Sequence, residues 1–231
     1  MLSFIALESP PKVAVEPEGL PGKCLALERI RLSAEGMKLT LAPTEFTRFA
    51  RDVRVGGAAK CSGGWEDAVG KVLAVSVLVH AKGKVLVLWR KSGLAVQSGK
   101  CTASVTGTVE MGDARERDVL TAAALRELWE ETGLLGSDGA LTFRGLVLAP
   151  GKVQPVGLFE FSCRDETLRS VPAWPRFKEE HEKAEILNHG EALDCPLSPV
   201  SRFAVGLFRH NQIRAGSDRE HIIAPLLSDN Y

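Results

Sequence analysis

Apolar and polar residues alternate over residues 25–32 and again over 37–41, with Ser33-Ala34-Glu35-Gly36 between the two runs. A period of two is that of a strand with one buried face, so the pair predicts a hairpin. Thr44 then offers a cap for a short helix over 45–53, and Gly56-Gly57 and Cys61-Ser62-Gly63-Gly64 punctuate a loop. The pattern changes at residue 72. Residues 72–79 form an apolar, β-branched run, 81–84 read as a turn and 85–90 as a second strand. A polar loop over 91–100 leads to a short strand at 102–106, a glycine-bearing loop, and a helix that starts near Val119. Beyond a turn at 137–139, strands are predicted at 143–149 and 155–161 around Pro150-Gly151-Lys152. A charged helix is predicted over 177–187 and an amphipathic one over 198–210, the latter with Phe203, Leu207 and Phe208 as its apolar residues. Strands interleaved with helices predict an α/β fold, a mixed sheet with helices on both faces. Residues 1–60 read as a β-rich N-terminal extension, either a small subdomain or a dimerisation arm that leaves a homodimer open. Residues 70–231 read as the larger domain.

The helix after Val119 carries the chemistry. Arg126-Glu127-Leu128-Trp129-Glu130-Glu131-Thr132-Gly133-Leu134 places three carboxylates within one turn and ends in a glycine suited to a left-handed C-terminal stop. At 100° per residue Glu127 and Glu131 lie about 40° apart, with Glu130 about 60° to the other side, so the three can reach one ion cluster. Leu125, Leu128 and Thr121 are expected to face the core while the acids face a metal. Three like charges in one turn cost roughly 0.2–0.5 kcal/mol per i,i+4 pair, a cost that a divalent cation removes. Carboxylates without histidine or cysteine suit Mg2+ or Mn2+ better than zinc. A pair of glutamates at this spacing is ordinarily a solvated helix face. From average residue usage, the whole string arises by chance on the order of once in ten million start positions, which favours a site.

The string resembles the C-terminal half of the Nudix box, G-x5-E-x7-R-E-U-x-E-E-x-G-U with U apolar. Strict spacing makes Gly112 the box glycine and puts Asp118 at the family's glutamate position; Asp118 reads equally as the N-cap of the helix. Local texture instead matches Gly107-Thr108-Val109-Glu110-Met111-Gly112-Asp113 to the family's G-x-x-E-x-G-E loop, with about five extra residues before Arg126. Gly107 is preferred and Gly112 stays open. The resemblance implies a Nudix-like α/β/α sandwich over residues 70–231 and hydrolysis of the pyrophosphate bond of a nucleoside diphosphate derivative, such as a nucleotide sugar, a dinucleotide or a nucleoside triphosphate. It implies Glu127 and Glu131 as metal ligands, Glu130 as a further ligand or as the group assisting the water, and the Gly107 carbonyl as a metal contact. Arg126 would orient the carboxylates. A downstream acid is the family's usual general base, and Glu179, Glu180, Glu182 and Glu185 are the candidates, each otherwise a solvated helix charge. Arg90, Lys91, Lys100 and Arg144 could meet phosphates, Trp89, Trp174 and Phe159 a base, and Gln154 could border the pocket. The second reading is a Nudix-fold module that senses nucleotides or binds partners, with activity weakened by the altered glycine-to-helix segment.

The rest of the composition narrows the classes. Of 231 residues 45% are hydrophobic and 25% charged, with a formal net charge of zero; the chain can bury a core, and balanced charge argues against nucleic acid or a membrane surface as partner. Five dispersed cysteines without a C-x-x-C pair, and an N-terminus that makes a poor signal peptide, fit a reduced, cytoplasmic setting. The five histidines, His80, His181, His189, His210 and His221, show no zinc spacing and are expected in core or surface roles, and Cys61 has no base beside it.

Overall fold

The computed structural model describes residues 3–15, 23–33, 36–45, 47, 65–92, 100–149 and 154–215. Among them the strands are, in chain order, β1 (Ser3–Ala6), β2 (Lys12–Val15), β3 (Cys24–Ser33), β4 (Gly36–Thr44), β5 (Ala74–Ala81), β6 (Lys84–Arg90), β7 (Cys101–Thr102) and β8 (Val105–Thr108). Helix α1 (Val119–Thr132) is followed by β9 (Gly139–Ala149), β10 (Gln154–Cys163), α2 (Asp165–Ser170), α3 (Phe177–Glu180), β11 (His181–Asn188), α4 (His189–Asp194) and α5 (Pro199–Ala215).

Strand β5 is buried along its whole length, Ser76 and His80 included, which accounts for its mostly apolar, β-branched sequence. It pairs in parallel with β10 and antiparallel with β6 and β8, inside a mixed sheet ordered β1-β9-β10-β5-β6-β11. The β5–β6 turn has Lys82 at φ 46° and Gly83 at φ 78°, the left-handed geometry a two-residue hairpin requires. Alternation divides the side chains between two layers. Val75, Val77 and Val79, with Leu86 and Leu88, face Leu120, Ala123, Ala124 and Leu128 of α1. Leu78, Val85 and Val87 face Val205 and Phe208 of α5 on the other side. The fold is therefore the expected α/β/α sandwich around a mixed sheet.

Residues 3–15, 23–33 and 36–45 are β-rich as expected, and they are built into this framework. Strand β1 extends the main sheet beyond β9, while β2, β4 and β3 form a three-stranded sheet. Leu25, Leu27, Leu39 and Leu41 share the core that α1 covers. Leu25 N–H donates to Val109 O, Leu73 N–H to Leu25 O and Met111 N–H to Lys23 O, so the start of β3 is stitched both to the residues before β5 and to the segment that follows β8. The helix predicted over 45–53 lies outside the described residues apart from its first positions.

The 177–187 expectation is corrected. Only Phe177–Glu180 is helical, and His181–Asn188 is a strand paired antiparallel with β6. The spacing of charges there suits a helix, but the open edge of β6 offers a full row of backbone partners, and tertiary pairing overrides local propensity. No helix among the described residues is long and apolar enough to cross a membrane.

Candidate active site

Helix α1 is set by both of its ends. Asp118 accepts hydrogen bonds from Thr121 N–H (3.1 Å) and Thr121 Oγ1 (2.6 Å), the arrangement of an N-cap. Gly133 closes the other end at φ 74°, its N–H donating to Trp129 O, and a side chain there would collide with the Trp174 ring, 2.6 Å away. Between these ends the inward face changes character. Glu127 and Glu131 lie within about 20° of the azimuth of Leu120, and both are buried. The expectation that the acids oppose the core face is thus corrected: they continue it, and the face turns from apolar to acidic along the helix. Trp129 holds the exposed azimuth.

Strand β8 supplies the opposite wall. Gly107 pairs with Val75 at the centre of the sheet, and a Cβ on it would collide with the carboxylate of Glu127. Among the described residues nothing lies within 4 Å of a Cβ placed on Gly112. With Asp118 engaged as a cap, the acid at the five-residue spacing from Gly107 is Asp113. Asp113 receives a paired hydrogen bond from Arg126 (Nε to Oδ1 and Nη2 to Oδ2, each 3.0 Å) and accepts from Glu110 N–H at 2.8 Å. The five extra residues, 114–118, lie between that clamp and the first turn of α1. Sequence reading missed Asp113, although counting G-x5-acid from Gly107 lands on it.

Arg126 is the hub of the site. Besides Asp113 it donates to Thr108 O (2.7 Å), Glu127 Oε1 (2.7 Å) and Glu130 Oε2 (3.2 Å). Burial disfavours its charge, but Asp113 and Glu127 more than offset this and raise its pKa. Glu131 turns the other way, with His181 Nε2 2.8 Å from its Oε2. Burial pushes Glu127 up to about 8, against Arg126, with Glu131 adding to the rise. Burial likewise pushes Glu131 up to about 8, and Glu180 adds to it. Among the described residues Glu127 shares Arg126 with two other acids, and Glu131 has only the His181 ring as a side-chain partner.

The remaining candidates separate clearly. Glu180 forms an ion pair with Arg90 (3.2 Å), and both are close enough for their charges to act on Glu131. Glu179 pairs with Arg176, Glu182 accepts from Ser92 N–H, and Glu185 accepts from Trp89 Nε1 at 2.6 Å. Trp174 donates to Glu130 O at 3.1 Å and stacks edge-on with Trp129, bracing the helix end. Phe159 is in the core against Phe143, and Gln154 is buried at the start of β10. Arg144 pairs with Glu160 at 2.6 Å, and Glu160 alternates with the core residues Phe159 and Phe161, which puts the pair on the α5 side of the sheet, away from the acids. Lys100 is exposed and Lys91 half-buried.

A sequence profile described as NUDIX domain matches residues 70–199. This chain belongs to the Nudix family. Similar solved structures include a Deinococcus radiodurans protein (16% identity, TM-score 0.49, 79% of this chain and 97% of that one) and the E. coli dihydroneopterin triphosphate pyrophosphohydrolase (22%, 0.42, 60% and 95%). A Caenorhabditis elegans Ap4A hydrolase is another (17%, 0.44, 62% and 98%). A comparison with curated proteins gave no match. The Nudix segment runs from just before β5 to the start of α5 and contains every residue of the acidic site.

Nudix enzymes generally use divalent metals, and the donor set here fits one. Glu127, Glu130, Glu131 and the Gly107 carbonyl are hard oxygen donors, and burial keeps Glu127 and Glu131 from ionising readily. Among the described residues no three His, Cys, Asp or Glu side chains already converge into a metal cage. Mg2+ does not require one, since it takes one or two carboxylates and fills its shell with water and phosphate oxygens.

Proposed function

We propose that this chain is a metal-dependent hydrolase that cleaves the pyrophosphate bond of a nucleoside diphosphate derivative, with Mg2+ or Mn2+ held by Glu127, Glu131 and Glu130 beside the Gly107 carbonyl. The observation that carries this reading is the burial of Glu127 and Glu131 on one helix face, Glu127 directly against Gly107, where the described residues give Glu127 a shared guanidinium and Glu131 only the His181 ring as side-chain partners. A fold that needed only packing would fill those positions with apolar groups, because a buried carboxylate without compensation is strongly unfavourable.

A divalent cation bound there would neutralise non-bridging phosphate oxygens and lower the pKa of a bound water. The chain's own residues prepare the place. Arg126, locked to Asp113 and to Thr108 O, fixes the rotamers of Glu127 and Glu130 and ties the helix to the loop after Gly107. Gly107 lets the Glu127 carboxylate lie directly on the strand. Glu130, the most exposed of the three at 34%, would be the one to take a proton from the attacking water. Glu180 is the downstream acid nearest Glu131 and the remaining candidate for that role, held in reserve by Arg90.

A panel of nucleotide sugars, dinucleotides and nucleoside triphosphates with Mg2+ or Mn2+ tests the reading in wild type and in Glu131→Gln. The expected outcome is metal-dependent turnover that falls by at least about 10²-fold in the variant, the order of losing one major electrostatic stabiliser. Equal turnover in the two proteins would contradict the role given to Glu131. Nucleotide binding without turnover would favour the sensor reading.

A further inference from the structure

His181 has no exposed side-chain surface, and its Nε2 meets Glu131 Oε2 at 2.8 Å across 50 residues of sequence. Its placement is fixed from several directions. It caps α3 through its N–H to Phe177 O, its ring packs on Phe177 at 5.3 Å, and it pairs with Arg90 across the sheet. The β11–β6 register shifts between His181 and Lys183, an irregularity of the kind that re-aims a side chain.

The protonation pattern follows from these surroundings. The ring has no contact with solvent, and a doubly protonated imidazolium would leave an unpartnered Nδ1–H and a charge buried together, so the ring carries one proton. Nδ1 is buried without a hydrogen-bond partner among the described residues. A proton on Nδ1 would strand a buried donor, whereas a proton on Nε2 leaves only an unfilled acceptor, the better tolerated defect. The Nε2–H therefore donates to Glu131 Oε2.

We propose that His181 is a positioning residue for the cation site: its Nε2–H fixes the Glu131 carboxylate on one oxygen and leaves the remaining lone pairs for a divalent ion. The proposal rests on the reading of Glu131 as a metal ligand. Hydrogen-bond partners that orient a ligand are commonly worth 10–100-fold in metal affinity. The histidine acts through Glu131 and touches no reacting atom.

Mn2+ binding to the full chain without substrate, followed by the paramagnetic resonance of the free ion, supplies a readout separate from turnover. His181→Phe keeps a ring against Phe177 and removes the donor; His181→Gln keeps a donor at the same reach. The phenylalanine variant is expected to bind Mn2+ about 10–100-fold more weakly, with the glutamine variant near wild type. Equal affinity in wild type and His181→Phe, or equal weakening in both folded variants, would overturn the proposal. Absence of Mn2+ binding by wild type would instead overturn the cation site on which it depends. Nitrogen NMR of the metal-free wild type decides the hydrogen bond independently of any variant: a protonated Nε2 and bare Nδ1 are expected, and an Nδ1–H tautomer or an imidazolium near pH 7 would contradict it.

Discussion

The two faces of the central sheet both bury a carboxylate, and they treat it in opposite ways. On the α5 side Glu160 has a guanidinium of its own, Arg144, at 2.6 Å. On the α1 side Asp113, Glu127 and Glu130 share the single guanidinium of Arg126, and Glu131 has a neutral imidazole. The first arrangement is complete within the protein. The second, among the described residues, has one guanidinium for three acids at the place where Gly107 opens the strand to a carboxylate, which is the condition the proposed cation site requires.

The same chemical change should therefore act differently on the two faces. Glu131→Gln is expected to reduce turnover by at least about 10²-fold while leaving metal-free stability at pH 8 equal or higher, since it removes an uncompensated buried charge; kinetics and thermal unfolding of one preparation measure both. Gly107→Ala drives a Cβ into Glu127 and should cost about 10–10²-fold in turnover and about 1–3 kcal/mol of stability by denaturant titration. Glu160→Gln, on the paired face, should reverse the signature of Glu131→Gln, with about 1–3 kcal/mol of stability lost and metal-dependent turnover retained. Asp118→Ala should remove only the cap, about 1 kcal/mol, with turnover unchanged. Loss of activity in Asp118→Ala comparable to that in Gly107→Ala would revive the strict-spacing alignment of the box.

What could be read in the sequence was local. The acid string from Arg126 to Gly133, the β5–β6 hairpin and the α1 cap each depend on residues within a few positions, and all three appear in the fold. The relation of the acids to the core was also within reach, because Glu127 and Glu131 fall seven and eleven residues after Leu120, close to whole numbers of turns. Contacts set by tertiary structure carried little or no such signal. His181 reaches Glu131 only because β6 has an edge to fill, and a strand of charged residues such as His181–Asn188 looks like a helix until that edge is known. Asp113 lies between the two cases: its spacing from Gly107 was countable, but the residues separating it from Arg126 hid the partnership.

Thermal unfolding of wild type between pH 6.5 and 8, with and without Mn2+, tests the charge deficit itself. The unfolded glutamates titrate near 4.5 and the folded Glu127 and Glu131 near 8, so the native state holds extra protons across this window and its stability falls as pH rises. The lowered pKa values of His80 and His181, about 4, act in the opposite sense, mostly below the unfolded value of 6.5, so only the end of their titration enters the window and offsets a small part of the loss. Metal-free protein should lose up to about 3 kcal/mol on going from pH 6.5 to 8, and Mn2+ should restore most of it at pH 8 but not in Glu131→Gln. A flat profile unaffected by Mn2+ would contradict the claim that these buried acids form a cation site.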